Sequence, residues 1–226
     1  MAGSTQGPSP AADALHTYAA SGNTHHLLVI LDACNNPERK QELLRSKLGE
    51  KGHTALHLAI LHDHLETAHA LVEDGASLTI LNDDDHMPIS YCCDGDMLHM
   101  LLSATKMGEM ELGTVDATKR SVVHYASLLL MESESVPLFS RLISKACSSS
   151  DRCLLLQDEE GDTFLGTAAK AGNTTALKAL DRAGIDDVEA ALRKLLVNGE
   201  VALTALMHGQ RHFFDQLRAL GKRISA

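Results

Sequence analysis

Histidines crowd one stretch of the sequence, and histidine is both a metal ligand and a general base. The segment HTALHLAILHDHLETAH, residues 53–69, holds five of the thirteen histidines. His64, Glu66 and His69 come close to the H-E-x-x-H helix of metalloproteases, in which histidines four residues apart lie on one helical face and bind zinc. Here the two histidines are five residues apart, about 140° around a helix. One ion cannot easily bind both, so no metal site is predicted.

The rest of the sequence carries none of the common catalytic or cofactor-binding motifs. There is no G-x-S-x-G nucleophile turn, no G-x-x-x-x-G-K-[ST] phosphate loop and no G-x-G-x-x-G after a predicted strand. The five cysteines include no C-x-x-C pair, so neither a structural zinc site nor a disulfide framework is indicated. We therefore expect no enzyme activity, no cofactor and no bound metal.

The composition indicates packed short helices and a protein partner. The formal net charge is −10 at pH 7, which disfavours nucleic acid and anionic membranes and suits a basic protein surface. Aromatic residues make up 3% of the chain, and Leu, Ala and other small residues supply most of its 44% hydrophobic content. The odd number of cysteines predicts a reducing compartment. No signal sequence and no apolar run of about 18 residues is found, so we expect a cytoplasmic or nuclear protein.

An internal repeat predicts where these helices lie. Leu56 in TALHLA is matched by Ile89 in MPISYC, 33 residues later, and by Val123 in SVVHYA, another 34 residues on. TFLGTAAKAGN places Leu165 in the same position, and DALHTYAASGN places Leu15 there. A weaker copy, EVALTALMHGQ, closes the series near residue 202. Repeats of this length are typical of solenoids, whose units bury their apolar faces only by stacking.

These segments resemble the ankyrin repeat, whose pattern runs D-x-x-G-x-T-P-L-H-x-A-A-x-x-G-H and ends in L-L-x-x-G-A. The best copy follows this pattern from Gly52 through His57 and His64 to Gly75 and Ala76. The resemblance implies an all-α ankyrin-repeat solenoid of stacked helix-turn-helix units with β-turn fingers. We expect a disordered tail over residues 1–11 and an ankyrin-repeat domain over residues 12–222. Its five to six units, some of them degenerate, are expected near residues 13–33, 52–81, 85–113, 119–147, 161–185 and 198–222.

The degenerate units predict local departures from the pattern. About eight extra residues follow the first copy and predict a helix after Pro37. The third copy is shortened and has Ser90 in place of the histidine. In the fourth, Ser135 and Pro137 predict the start of a helix, and residues 148–150 predict an exposed loop.

The resemblance implies a structural role for four histidines. His16, His57 and His124 fall in the T-P-L-H position, where the imidazole of ankyrin repeats joins a hydrogen-bond network between the finger and the first helix. His64 occupies the G-H position, which is also structural in the family.

The variable positions of the family, at finger tips and at the ends of first helices, predict a partner-binding surface. For His53, His62 and His86 the alternative is a solvated side chain, and a shared metal ion is not expected because stacked units lie roughly 8–10 Å apart. Six predicted residues are acidic and three are Lys or Arg, which suggests a positively charged partner, although turn tips favour Asp in any case. The set is Glu50, Lys51, His53, His62, Asp83, Asp84, His86, Arg120, Leu128, Leu129, Glu159, Glu160, Asp162 and Lys170.

Leu128 and Leu129 stand where the family usually has polar residues. They are either the apolar centre of an interface or part of the core of an irregular fourth unit.

The expected function is a non-enzymatic protein–protein interaction scaffold or adaptor, a monomer whose protein partner binds the concave ankyrin surface. One alternative is a regulator of a transcription factor, similar to the inhibitors of NF-kappa-B, and another is a microbial effector on the same scaffold. Asparaginyl hydroxylation, a known modification of ankyrin repeats, is disfavoured because Thr79 occupies the target position.

Overall fold

The computed structural model describes residues 9–105, 110–148, 153–183, 201, 204–205 and 208–224. This part of the chain holds eleven α-helices and no β-strand, which confirms the predicted all-α fold. The helices are α1 (Pro10–Ser21), α2 (Thr24–Asp32), α3 (Pro37–Leu44), α4 (Ala55–Leu61), α5 (Leu65–Glu73), α6 (Gly95–Ala104), α7 (Val122–Leu129), α8 (Val136–Ser148), α9 (Phe164–Ala171), α10 (Thr174–Ala183) and α11 (Arg211–Ile224). Short 3₁₀ turns lie at Pro88–Tyr91, Ser133–Ser135 and Cys153–Leu155. Among the described helices, none is long and apolar enough to cross a membrane.

The chain divides into two compact units. The first comprises Met1–Cys92 and Ala104–Met110, and the second comprises Cys93–Ser103 and Glu111–Ala226. Helices α1 to α5 belong to the first unit, whereas α7 to α11 and all but the last residue of α6 belong to the second. Each unit is described by itself below.

Side-chain caps fix where the helices of the first unit begin. The Ser9 hydroxyl accepts a backbone N–H of the first turn of α1 at 3.3 Å, and Pro10 follows it at the first helical position. Asn36 caps α3 in the same way at 2.8 Å, again with a proline, Pro37, next in sequence. The helix predicted after Pro37 is therefore confirmed.

The core of the first unit lies where the first helices stack. Helix α1 packs against α4, and α4 packs against the 3₁₀ turn at Pro88–Tyr91. Leu15, Leu56 and Ile89, which the repeat relates to one another, are each at most 1% exposed. Full burial of one such side chain stabilises the fold by about 1.5–3 kcal/mol. The apolar period of the sequence thus corresponds to the stacked core.

The second unit stacks its helices in two rows, one made of first helices and one made of second helices. Helix α7 packs against α9, α8 packs against α10, and α10 packs against α11. Val123 and Leu165, the equivalents of Leu56 in this unit, are fully buried. Phe139 of α8 and Phe164 of α9 meet with ring centroids 6.5 Å apart in an edge-on arrangement, which favours their quadrupoles.

The third copy of the repeat lacks the first α-helix that the pattern predicts. Pro88–Tyr91 forms a 3₁₀ turn instead, in which the Ser90 hydroxyl donates to the carbonyl of Met87 at 2.7 Å. The carboxylate of Asp94 already caps the next helix by accepting the N–H of Met97 at 2.7 Å. Only two residues separate the turn from this cap, so the shortened copy has no room for another helical turn. The helix prediction was wrong for this copy.

The limits of the predicted segments differ in detail. Helix α1 includes Pro10 and Ala11, which lie within the predicted tail, while residues 1–8 fall outside the described part. Ser135 directly precedes α8 and Pro137 is its second residue, as predicted.

Two predicted segments are described only in part. Ser148 belongs to α8 rather than to a loop, and residues 149–150 lie outside the described part. Of the predicted unit at 198–222, the structure describes 201, 204–205 and 208–222, including most of α11.

Candidate functional site

Four turns precede the first element of successive repeats, and we call them fingers: residues 48–53, 82–86, 116–120 and 158–162. The last three share one hydrogen-bond scheme. The side-chain oxygen of a buried Asn or Asp at the first position accepts the N–H groups of the third and fifth residues at 2.8–3.0 Å. This closes the turn and leaves the intervening side chains at its tip. The capping side chains are Asn82, Asp116 and Asp158.

The fourth residue of each of these fingers is left-handed. The φ angles are 58° at Asp85, 59° at Lys119 and 82° at Gly161. A side chain in this conformation costs about 1–2 kcal/mol, which glycine avoids. The finger at 158–162, which has glycine at this position, is therefore the one whose sequence best fits the left-handed turn.

The imidazole of His57 ties its own helix to the next finger. The backbone N–H of Thr54 donates to Nδ1 at 3.1 Å, and Nε2 lies 3.0 Å from the carbonyl oxygen of His86. Because a backbone N–H can only donate and a carbonyl can only accept, the ring is the neutral tautomer with its proton on Nε2. Burial lowers the pKa of His57 to about 4, so the ring stays neutral at pH 7.

His124 makes both contacts of this link, and His16 makes the contact to the next finger. The N–H of Ser121 donates to Nδ1 of His124 at 3.2 Å, and Nε2 lies 3.2 Å from the carbonyl oxygen of Asp162. Burial lowers the pKa of His124 as well. Nε2 of His16 lies 3.0 Å from the carbonyl oxygen of His53. The predicted structural role of the three T-P-L-H histidines is confirmed.

The G-H position links each repeat back to the one before. Nε2 of His64 lies 3.0 Å from the carbonyl oxygen of Ala20, which confirms its structural role. In the second unit, Asn173 holds this position, and its amide donates to the carbonyls of Ser127 and Leu130 at 2.8 and 2.9 Å. Forward and backward hydrogen bonds together fix the spacing of neighbouring repeats.

Two predicted partner-binding residues of the first unit, His53 and His86, flank a tyrosine that the sequence analysis missed. The Tyr91 ring centroid lies 5.7 Å from that of His53 and 5.9 Å from that of His86, both edge-on. The charges of Lys51, Asp83 and Asp84 act on the His53 imidazole. We call this group the Tyr91 cluster: Lys51, His53, Asp83, Asp84, His86 and Tyr91.

The buried Asn82 side chain contacts two members of the Tyr91 cluster. Its amide nitrogen lies 3.2 Å from Nδ1 of His53 and donates to the Tyr91 hydroxyl at 3.2 Å. A signal for Tyr91 was present in the sequence: it follows Asn82 by nine residues, as Tyr125 follows Asp116. The hydroxyl of Tyr125 likewise donates to its finger cap, and burial raises its pKa.

The ion pairs made by the two carboxylates of the Tyr91 cluster are exposed and weak. The Lys47 ammonium lies 3.2 Å from Asp83, and that of Lys51 lies 3.5 Å from Asp84, with all four side chains 39–64% exposed. Exposed pairs of this kind contribute about 0–1 kcal/mol. Burial, followed by the charge of Lys51, lowers the pKa of His53, so this ring is neutral at pH 7.

Glu50 and His62 lie outside the Tyr91 cluster. Glu50 is exposed in the finger at 48–53 and forms no ion pair with any described residue. His62 is exposed where α4 ends, and its ring centroid lies 6.2 Å from that of His64. Within the described residues, no group of three or more His, Cys, Asp or Glu side chains is placed to hold a metal ion.

In the second unit, four predicted residues form an ion network with the buried cap Asp158. The Arg120 guanidinium lies 3.4 Å from Asp158 and 3.7 Å from Glu160. The Lys170 ammonium bonds to both Glu160 and Asp162, and these hydrogen bonds raise the pKa of Lys170. The acidic tip of this finger is therefore neutralised largely by the chain itself.

The remaining predicted residues of the second unit differ in exposure. Glu159 is exposed, and its backbone N–H donates to the carbonyl of Thr118 at 3.1 Å, which links two fingers. Leu128 and Leu129 are half-buried, so they are neither a fully exposed patch nor core. A Cβ on Gly95 would lie 2.5 Å from the carbonyl oxygen of Leu129, so only glycine permits this approach of α6.

Comparison with known protein families identifies one of these repeats. The ankyrin-repeat family model matches residues 51–83, which run from the tip of the first finger through α4 and α5 to the tip of the second. Residues 51–83 therefore form an ankyrin repeat. A search among curated proteins finds no match for the chain.

Ankyrin repeats generally mediate protein–protein interaction, and the family is typically non-enzymatic. The matched segment contains Lys51, His53, His62 and Asp83, four of the predicted partner-binding residues.

Proposed function

We propose that this ankyrin-repeat protein is a non-enzymatic scaffold or adaptor that binds another protein through its finger tips and the adjacent first helices. The observation that carries the proposal is the shared finger scheme, in which a buried Asn or Asp caps the turn and holds charged side chains at its tip. Such preorganised loops lose little conformational entropy on binding.

The first unit is the better candidate for a basic partner. Its two fingers present four carboxylates, Glu50, Asp83, Asp84 and Asp85, against the two ammonium groups of Lys47 and Lys51. An excess of negative charge of this kind favours basic segments and gives an affinity that falls as salt rises.

We also propose that the protein acts in the cytoplasm or nucleus. Its odd number of cysteines without a C-x-x-C pair supports a reducing compartment. A monomer is the simplest state for this role, and sedimentation of the purified protein tests it.

Affinity capture from a cell extract, followed by affinity measurement on the captured protein, tests the proposal. The variants are Asp83→Lys/Asp84→Lys in the first unit and Glu159→Lys/Glu160→Lys in the second. The matched control, Asp32→Lys/Glu73→Lys, makes the same charge change at the exposed ends of α2 and α5. We expect a partner whose affinity falls at least tenfold in a finger variant and less than twofold in the control.

Each variant is first shown to be folded by its circular dichroism and its urea midpoint. Equal loss in the control, or no loss in either finger variant, would place the binding surface elsewhere on the chain.

A further inference from the structure

The two units differ in the side chain that faces the acidic residues of the next finger. In the second unit, Arg120 directly precedes the cap of α7, and its guanidinium contacts Asp158 and Glu160 of the next finger at 3.4 and 3.7 Å. In the first unit, His53 holds the equivalent position before Thr54, the cap of α4.

The contacts of His53 match those of Arg120 only in part. Nδ1 of His53 lies 3.2 Å from the amide of Asn82, which stands where Asp158 stands in the second unit. The residue equivalent to Glu160 is Asp84. Because imidazole is shorter than the arginine side chain and His53 is neutral at pH 7, the cluster supplies no guanidinium to this carboxylate.

We propose that the Tyr91 cluster binds an arginine side chain of the protein partner, whose guanidinium takes the place that Arg120 fills in the second unit. The inference rests on the proposed function and names the chemistry of one contact within it. Lysine would fit less well, because a guanidinium is planar, binds carboxylates through two N–H groups and stacks on aromatic rings.

Two features of the cluster suit a guanidinium. Asp83 and Asp84 are held at the tip of one finger and pair only with exposed lysines among the described residues. Tyr91 is half-buried beside two half-buried imidazoles, and one of these, His53, lies close enough to Asp83 and Asp84 to be affected by their charges. Cations bind such rings when they lie within about 6 Å of the ring centroid.

Among the described residues of the second unit, no equivalent site is found. Its matching tyrosine, Tyr125, is 8% exposed and donates its hydroxyl to the buried Asp116. Arg120 and Lys170 already contact the acidic side chains of the finger at 158–162. This unit therefore serves as an internal comparison for the first.

The key variant is His53→Arg, which supplies the missing guanidinium within the chain. The probe is a fluorescein-labelled peptide of three Gly-Ser-Arg repeats, with Gly-Ser-Lys repeats as the matched alternative, and fluorescence anisotropy is read at 0.15 M salt. We expect the arginine peptide to bind wild type at least threefold more tightly than the lysine peptide. His53→Arg should weaken binding of the arginine peptide at least fivefold.

Two controls separate occupation of the site from general effects. His62→Arg adds the same charge at an exposed position outside the cluster and should change affinity less than twofold. Asp84→Asn should lose at least threefold, whereas Glu159→Gln in the second unit should lose little.

An observation on the wild-type protein makes the test independent of folding in the variants. The ring protons of Tyr91 should shift in NMR spectra as the arginine peptide is added, and those of Tyr125 should not. The proposal is overturned if Tyr91 does not shift, if the peptide does not bind, or if His53→Arg binds it as His62→Arg does. A captured partner that still depends on Asp83 and Asp84 would then leave the proposed function standing without the arginine contact.

Discussion

The hydrogen bonds of His57 predict that acid weakens this fold at a defined residue. Its Nδ1 accepts a backbone N–H and its Nε2 faces a carbonyl, so the folded ring resists a second proton. The pKa is near 6.5 in the unfolded chain and about 4 in the folded protein. Between these values the unfolded chain binds a proton that the folded protein does not. Stability must therefore fall as pH falls from about 6.5 to 4.

The size of the effect follows from the two pKa values. At pH 7.5 both states are neutral at this residue and the contribution to the pH dependence is close to zero. At pH 5.0 the linkage relation gives a loss of about 2 kcal/mol in the free energy of unfolding from His57 alone. His124 acts in the same direction, since its pKa is lowered too.

The assay is urea unfolding of wild type and His57→Gln at pH 7.5 and 5.0. Glutamine does not titrate, so the variant retains the pH dependence of every other group and lacks that of His57. We expect it to be less stable than wild type by about 1–3 kcal/mol at pH 7.5, because buried polar groups lose their partners. That gap should shrink by about 2 kcal/mol at pH 5.0. An identical gap at both pH values would refute the neutral, Nε2-protonated ring.

Five further substitutions test the packing, the fingers and the backward links, each by urea unfolding. Leu56→Ala should cost about 2–5 kcal/mol, whereas Asp84→Ala at a finger tip should cost less than about 0.5 kcal/mol; the reverse order would mean that the repeat is in the wrong phase. Gly161→Ala should destabilise by about 1–2 kcal/mol, while Lys119→Gly should stabilise by up to about 1 kcal/mol, and shifts of the same sign would contradict the left-handed turns. Asn173→Ala should cost about 1–3 kcal/mol because two buried carbonyls lose their donor, so an unchanged midpoint would show that these bonds contribute nothing.

Periodicity predicted most of the fold because burial is periodic. Leu15, Leu56, Ile89, Val123 and Leu165 were aligned from sequence alone, and all five are buried at the stacked faces. The same pattern did not reveal the 3₁₀ turn in the third copy, since Ile89 is buried there whether or not a helix forms. The short distance in sequence between the turn and the Asp94 cap, rather than the apolar spacing, is what prevents a helix there.

The candidate site was predicted less completely because the sequence does not show which charged side chains contact one another in the fold. Asp83, Asp84 and His86 were expected in a finger and lie in the finger at 82–86. Sequence reasoning did not foresee that Arg120 and Lys170 would neutralise the second finger, because these contacts join residues 8 to 40 positions apart. Tyr91 was missed because the signal for it, its spacing of nine residues from Asn82, is neither an apolar period nor a charge pattern.

Site-specific photo-cross-linking tests most directly whether the fingers bind the partner. A photoreactive residue is placed at Asp84 or Glu159, both at finger tips, and in separate variants at Glu73 of α5 or Lys178 of α10, both exposed on second helices. The account predicts adducts with the captured partner from at least one finger position and none from Glu73 or Lys178. Adducts from the second helices alone would contradict it.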